Sequence, residues 1–289
     1  MGGRYNVFMP LSLLEPTDTR ALFRPVSSRL VELLHSLGAD DWDRATIAGT
    51  WVVRDVVAHL VDLTFRRLSF HRDRMTPPPP PIPIASEGDF VRFINLINAQ
   101  WIDASRRLSP RVLTDLFEKG STDLADWFEA LPPDAPGLFG VSWAGEQASE
   151  GWFDVGREFT ELWHHQQQIR LAVGAQPLPD RRHLRAVIEI ALRGLPHAYR
   201  NVAAGAGATL VLDVRGEAGG QWTLARDPDR WTLHAGSPSL FTARVSLSDD
   251  TLWRLLFNAI RAPETAALMH VEGEHALAAP LVRARSVIV

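Results

Sequence analysis

Asp154, Glu158, Glu161 and His165 recur at steps of four, three and four in the segment 151–173. On a helix those steps stack all four side chains along one flank. Glu161 and His165, one turn apart, can both reach a single ion at about 2 Å. A second segment supplies another candidate, His59, in the run 51–63. Val53, Val56, Val57, Leu60 and Leu63 make the apolar stripe there, and His59 sits at its edge. Asp55 and Asp62, one turn to either side, are placed to accept the second ring N–H of His59. Two inward-leaning histidines and one carboxylate on long helices are how bundle cores build metal sites. The competing reading is a solvated acidic flank with packed or surface histidines. Glu158 stands as an alternative to Glu161. His164 points almost opposite the core stripe and is left out of the ligand set.

The helices that carry these groups are legible from periodicity. Val155, Phe159, Leu162, Gln166, Ile169 and Val173 form the core-facing stripe of 151–173, which Gly174 and the prolines 177 and 179 end. A carboxylate flank beside such a stripe is costly to bury unless something positive offsets it, and a divalent ion would do so. The run from Thr50, a candidate N-cap, to about Arg74 predicts the helix of His59. Another is expected over 18–37, with Pro25 as kink or true start and Gly38 as C-cap. Further helices are expected at 87–108, 110–119 and 123–131. The prolines at 77–81 forbid helix and predict a stiff extended loop.

Past residue 180 the pattern changes. One helix is expected over 182–204. Short β-rich runs follow at 209–215, 221–226, 230–234 and 242–247, separated by turn signals at 216–220 and 227–229. Helical patterns return at 248–261 and 275–285. The composition shift predicts two domains, 1–178 and 179–289.

Composition narrows the chemistry. The chain has 289 residues, 46% apolar and 22% charged, as a packed globular protein does. A net charge of −4 argues against general nucleic-acid or anionic-membrane binding. With no cysteine, any metal site uses His and carboxylates, and any thiol chemistry borrows a thiol from a small molecule. No apolar run approaches the roughly 20 residues of a spanning helix, and no signal-peptide pattern is present. The expectation is a soluble cytoplasmic protein.

The segment "TWVVRDVVAHLVDL" (50–63) resembles the first signature of the DinB/YfiT-like helical-bundle metalloproteins, and "REFTELWHHQQQIRLAVG" (157–174) resembles the second. Glu161, His165 and Ile169 match the spacing of the second ligand helix. The Glu161 form resembles the mycothiol-dependent maleylpyruvate isomerase subgroup, and "LMHVEGEHALAAPLVRARSVIV" (268–289) is similar to the sterol-carrier-protein-like domain of that subgroup. The resemblance implies an α+β chain: a DinB-like four-helix bundle followed by a small α/β sterol-carrier-protein-like domain. It implies zinc or another divalent metal on His59, Glu161 and His165, which act catalytically through it. It also implies a low-molecular-weight thiol such as mycothiol, and a small electrophile that is isomerised from cis to trans or takes the thiol outright. Two other readings stay open: a hydrolase using zinc-bound water, and a non-enzymatic small-molecule or lipid-binding protein. Arg54, Arg66, Arg67 and Arg170 lie on the ligand helices and are read as surface residues. Trp143 and Trp152 are read as core residues.

Overall fold

The computed structural model describes residues 11–132, 134–178 and 180–288. The chain divides into two compact units. One holds residues 17–141 and 147–183. The other holds 11–16, 142–146 and 184–287.

A short strand, β1 (Ser12–Leu13), precedes the helical unit, which is built from α1 (Phe23–Ser36), α2 (Val53–Arg67), α3 (Glu87–Ser105), α4 (Pro110–Ala130) and α5 (Gly151–Val173). Helices α1, α2, α4 and α5 form the four-helix bundle, and α3 packs on α2. The bundle core follows the helical period. Phe23, Val26, Leu30 and Leu34 of α1 are buried, as are Leu113, Phe117, Leu124 and Phe128 of α4. The Phe23 ring lies 4.6 Å from that of Phe128 and 5.6 Å from that of Phe159.

Local signals set several ends. Ser86 and Ser109 accept from the backbone N–H groups of Asp89 and Val112, capping α3 and α4. Gly174 closes α5 at φ 70°, where a side chain would be strained. Pro25 lies in the first turn of α1, so it marks a start and causes no kink. Other ends differ from the sequence expectation. Thr50 is not the cap of α2: Asp55 takes that role by accepting the Val52 N–H at 3.2 Å. Gly38 does not end α1 in a left-handed turn but begins a short 3-10 turn at 39–43. After Arg67 the helix widens into a π-type turn, Leu68–Arg72, and the prolines at 77–81 are exposed and neither helix nor strand. The two pieces expected over 110–119 and 123–131 are one helix, Pro110–Ala130. At Gly120 a Cβ would come within 2.9 Å of Thr64 and 3.1 Å of the Phe65 ring. The glycine is there because α2 passes close, and tertiary packing carries the helix through it.

The second unit follows through α6 (Arg181–Leu192), α7 (Leu195–Ala198), β2 (Thr209–Arg215), β3 (Gly220–Arg226), β4 (Trp231–Ala235), β5 (Ala243–Ser248), α8 (Asp249–Leu256), α9 (Ala262–Leu268), β6 (His270–Gly273) and α10 (His275–Ala278). The expected helix over 182–204 breaks between α6 and α7, next to Pro196. The described strands form one sheet in the order β1-β4-β3-β2-β5-β6, with β2 and β5 parallel and the other neighbours antiparallel. Leu210, Leu212 and Val214 alternate onto its apolar face with Trp222, Leu224, Val245 and Leu247. The α+β class and the bundle-then-sheet order therefore hold. Among the described residues no helix is long and apolar enough to cross a membrane.

The contact that fixes α2 against α5 is ionic. Arg67, with its side chain 2% exposed, donates from both terminal nitrogens to Asp154, at 2.7 and 2.9 Å, and lies 3.1 Å from Glu158. Arg157 adds a 2.5 Å bond to Glu158. Arg67 is thus a core residue and not the surface residue that periodicity suggested. Asp154 also accepts the Leu138 N–H at 2.6 Å, which ties down the loop before α5. Burial pushes the Asp154 carboxyl up, but Arg67, Arg157 and the Leu138 N–H together hold it below its ordinary value. Its contribution to stability is therefore present at neutral pH and lost as pH falls through the folded-state value. Arg67→Met, which leaves Arg157 as the one cation beside two buried carboxylates, is expected to cost about 3–5 kcal/mol in urea unfolding at neutral pH. The gap from wild type should narrow below about pH 4, where carboxylates protonate. A pH-independent gap would show that Arg67 acts by packing alone.

Candidate metal centre

Three of the predicted side chains meet. His59 from α2 and Glu161 and His165 from α5 each offer one ligand atom, and all these atoms lie within 4.8 Å of one another. Glu161 Oε2 is 3.3 Å from His165 Nε2 and 3.8 Å from His59 Nε2. The two imidazole centroids are 4.9 Å apart and nearly perpendicular. His59 and His165 are buried, and the Glu161 side chain is 14% exposed.

Burial and neighbouring groups shift the charges within this trio. Burial pushes His59 down to about 4 despite the pull of Glu161, so it is neutral at pH 7 with a free ring lone pair. Burial also opposes the charge on Glu161, but hydrogen bonds from His165 and His59 and the neighbouring ring of His164 win, holding its carboxyl well below the usual range. His165 Nδ1 lies 2.7 Å from Gln168 Oε1. An amide oxygen only accepts, so the Nδ1 proton of His165 points to Gln168 and Nε2 faces Glu161. Two imidazoles and a carboxylate are a donor set suited to zinc and similar divalent ions.

Other expectations resolve differently. Neither Asp55 nor Asp62 accepts from His59. Asp55 caps α2 and faces Arg106 at 3.7 Å, and Asp62 pairs with Arg66 at 3.0 Å. His59 Nδ1 is buried with no hydrogen-bond partner among the described residues. His164 is not turned to solvent. It is 1% exposed, its Nδ1 is 2.7 Å from the Thr160 carbonyl, and its ring centroid is 4.0 Å from that of His165. Burial, with the His165 ring beside it, pushes its pKa down to about 3, so it packs as a neutral ring. Glu158 and Asp154 turn away from the trio to Arg67 and Arg157, so the acidic flank splits into two clusters.

The remaining arginines brace helix ends. Arg54 donates to the carbonyls of Arg106 and Leu108, and Arg170 to those of Gln176 and Arg29. Trp152 bonds Glu150 and packs on Phe153, while Trp143 is buried against Gly194. Two residues at the centre were missed. Trp51 lies just before α2, its ring 5.0 Å from His59 and stacked 6.2 Å from His165. Gln168 follows His165 by three residues, a spacing that marks it as a neighbour on the same face.

The comparisons with known proteins agree with this arrangement. The family model described as mycothiol maleylpyruvate isomerase N-terminal domain matches residues 23–170, just over half of the chain. A crystal structure of a mutant mycothiol-dependent maleylpyruvate isomerase superposes with a TM-score of 0.53 at 14% identity, covering 91% of this chain and 97% of that one. A second structure of the mycothiol-dependent maleylpyruvate isomerase gives 0.51 at 14% identity, over 84% and 90%. These likenesses are of fold. Sterol carrier protein 2 from Yarrowia lipolytica in its apo form gives only 0.23, at 20% identity over 47% of this chain and 86% of that one, too low to argue from. No curated protein sequence matches the chain. On the family model, which spans α1 to the last turn of α5, the chain belongs to the mycothiol maleylpyruvate isomerase N-terminal domain family.

Proposed function

We propose that the chain is a divalent-metal enzyme that uses a low-molecular-weight thiol, such as mycothiol, on a small electrophile. The observation that carries this reading is the convergence of His59 Nε2, Glu161 Oε2 and His165 Nε2 from two helices. Family membership and the activity named for the superposed isomerase support it. An ion held there, zinc by donor preference, would supply Lewis-acid chemistry that lowers the pKa of a thiol or water at neutral pH.

The chain's own residues do the rest. His59, Glu161 and His165 would hold the ion. Gln168 fixes the tautomer of His165. The Trp51 ring packs against both histidines. The chain has no cysteine, so the thiol must arrive with a small molecule. Isomerisation from cis to trans and outright thiol transfer both begin with attack of that thiol on the electrophile, and both fit this site.

Two measurements test the reading. Metal content of the untagged chain is expected near one divalent ion per chain, and His59→Ala, prepared identically, should lose it together with thiol-dependent turnover. Turnover that ignores added thiol would favour a hydrolase, and a chain that takes up no metal would end the enzyme reading. Gln168→Leu removes the acceptor of His165 Nδ1 and should weaken metal affinity by about 10- to 100-fold in a chelator competition. Gln168→Glu, which keeps an acceptor in place, should hold most of that affinity.

A further inference from the structure

Five arginines lie on the two helices that carry the centre, and four of them are committed elsewhere. Arg67 and Arg157 turn to Asp154 and Glu158, and Arg54 and Arg170 to backbone carbonyls. Arg66 is the fifth. It acts through Nη2 alone, which pairs with the Asp62 carboxylate at 3.0 Å and reaches the Asn98 amide oxygen at 3.4 Å. Its Nε is buried without a hydrogen-bond partner, and Nη1 has no acceptor among the described residues. A guanidinium carries five N–H groups, so this one keeps donors to spare.

Its place on α2 brings those donors close to the trio. His59, Leu63 and Arg66 follow at steps of four and three, so they share one face of the helix. Side chains on a helix lean toward its N-terminus, and the pairing with Asp62, four residues back, shows Arg66 leaning that way. The guanidinium is therefore level with Asp62, about 4.5 Å along the axis beyond His59. Burial does most to hold the pKa of His59 down, and the Arg66 charge adds to it, as a nearby cation does. Leu63, partly buried, lies between the two. Solvent reaches both ends of this strip: the Glu161 side chain is 14% exposed and that of Arg66 28%. An ion on the trio would set two positive charges against the single carboxylate of Glu161, so the centre would attract an anion as well.

We propose that Arg66 is a specificity-determining residue of this site, and that its free donors bind one carboxylate of the substrate about one helical turn from the metal ligands. Asp62 and Asn98 hold the guanidinium in place through Nη2 and leave Nη1 to the ligand. Calling the bound molecule the substrate rests on the metalloenzyme reading above; the carboxylate site itself does not.

Monoethyl maleate and diethyl maleate share one carbon skeleton, and of the two the monoester alone carries a carboxylate. Each is titrated calorimetrically, at neutral pH without thiol, into the wild-type chain, Arg66→Met and Arg66→Lys, metal-loaded and metal-stripped. With no cysteine in the chain, no protein thiol is there to capture either ester. A metal ion can itself take a carboxylate, so the variants decide and not the wild-type preference. Arg66→Met is expected to weaken the monoester about tenfold or more and to leave the diester within about twofold, in both metal states. Arg66→Lys keeps the charge without the planar fork and should recover part of the lost affinity. Equal losses for both esters in both variants would show that Arg66 only supports the fold. Unchanged monoester affinity would place the carboxylate elsewhere, and a wild-type chain that binds no monoester has no such site. Each of these outcomes overturns the proposal. The two readings fail separately. A chain that takes up no metal but loses the monoester in Arg66→Met keeps this inference and removes the metalloenzyme. A metal-loaded chain whose monoester affinity ignores Arg66 does the reverse.

Discussion

The buried bond of Arg67 to Asp154 and Glu158 sets the register on which the centre depends. Helices α2 and α5 run antiparallel, since the end of α2 meets the start of α5. His59 lies eight residues before Arg67, about 12 Å along the helix axis. Glu161 and His165 lie seven residues beyond Asp154 and Glu158 respectively, about 10.5 Å along theirs. The two spans nearly match, so fixing the ion cluster at one end brings the imidazole of α2 opposite the ligand pair of α5 at the other. Apolar packing alone is tolerant of small shifts along the axis. A bidentate guanidinium–carboxylate pair is not, because both its bonds need one geometry.

That division of labour explains how the acidic flank of α5 is tolerated. Four ionisable side chains on one buried flank would be prohibitive as isolated charges. Two carboxylates are neutralised by two arginines, and the charge left over is Glu161. Its partners are two histidines of which burial keeps at least His59 neutral, so the bare centre holds an anion compensated only by hydrogen bonds. The proposed divalent ion would complete the charge balance, and its binding energy would count toward folding as well as chemistry.

The sequence made the helices and the Glu161–His165 pair legible because both depend on short-range spacing. Helix α5 ends where Gly174 permits a left-handed turn, and Glu161 and His165 stack whatever surrounds them. Strand β2 runs over the residues its β-rich pattern marked. What stayed hidden depends on residues distant in the chain. Arg67 looked like one of several helix-surface arginines, because its partner lies 87 residues later. The joining of 110–119 and 123–131 into α4 depends on the close passage of Thr64 and Phe65 by Gly120. His164 seemed turned outward on a bundle of four helices, yet it is buried. The spacing located the donors but not the network that decides which carboxylate serves which cation.

The two histidines are not supported alike. His165 has its tautomer fixed by Gln168 on its own helix, so its ligand atom is set as soon as α5 forms. Among the described residues His59 has no such partner at Nδ1; its ring is placed by Trp51 and by the register of α2. Its position as a donor is therefore a tertiary property, and it exists only when the Arg67 cluster has closed. Glu161 and His165 form a half-site on one helix that local structure can assemble. The third ligand arrives with the fold, so binding of the proposed ion reports on the docking of α2 against α5. The centre and the ion cluster are in this sense the two ends of one interaction, and neither can be loosened without moving the other.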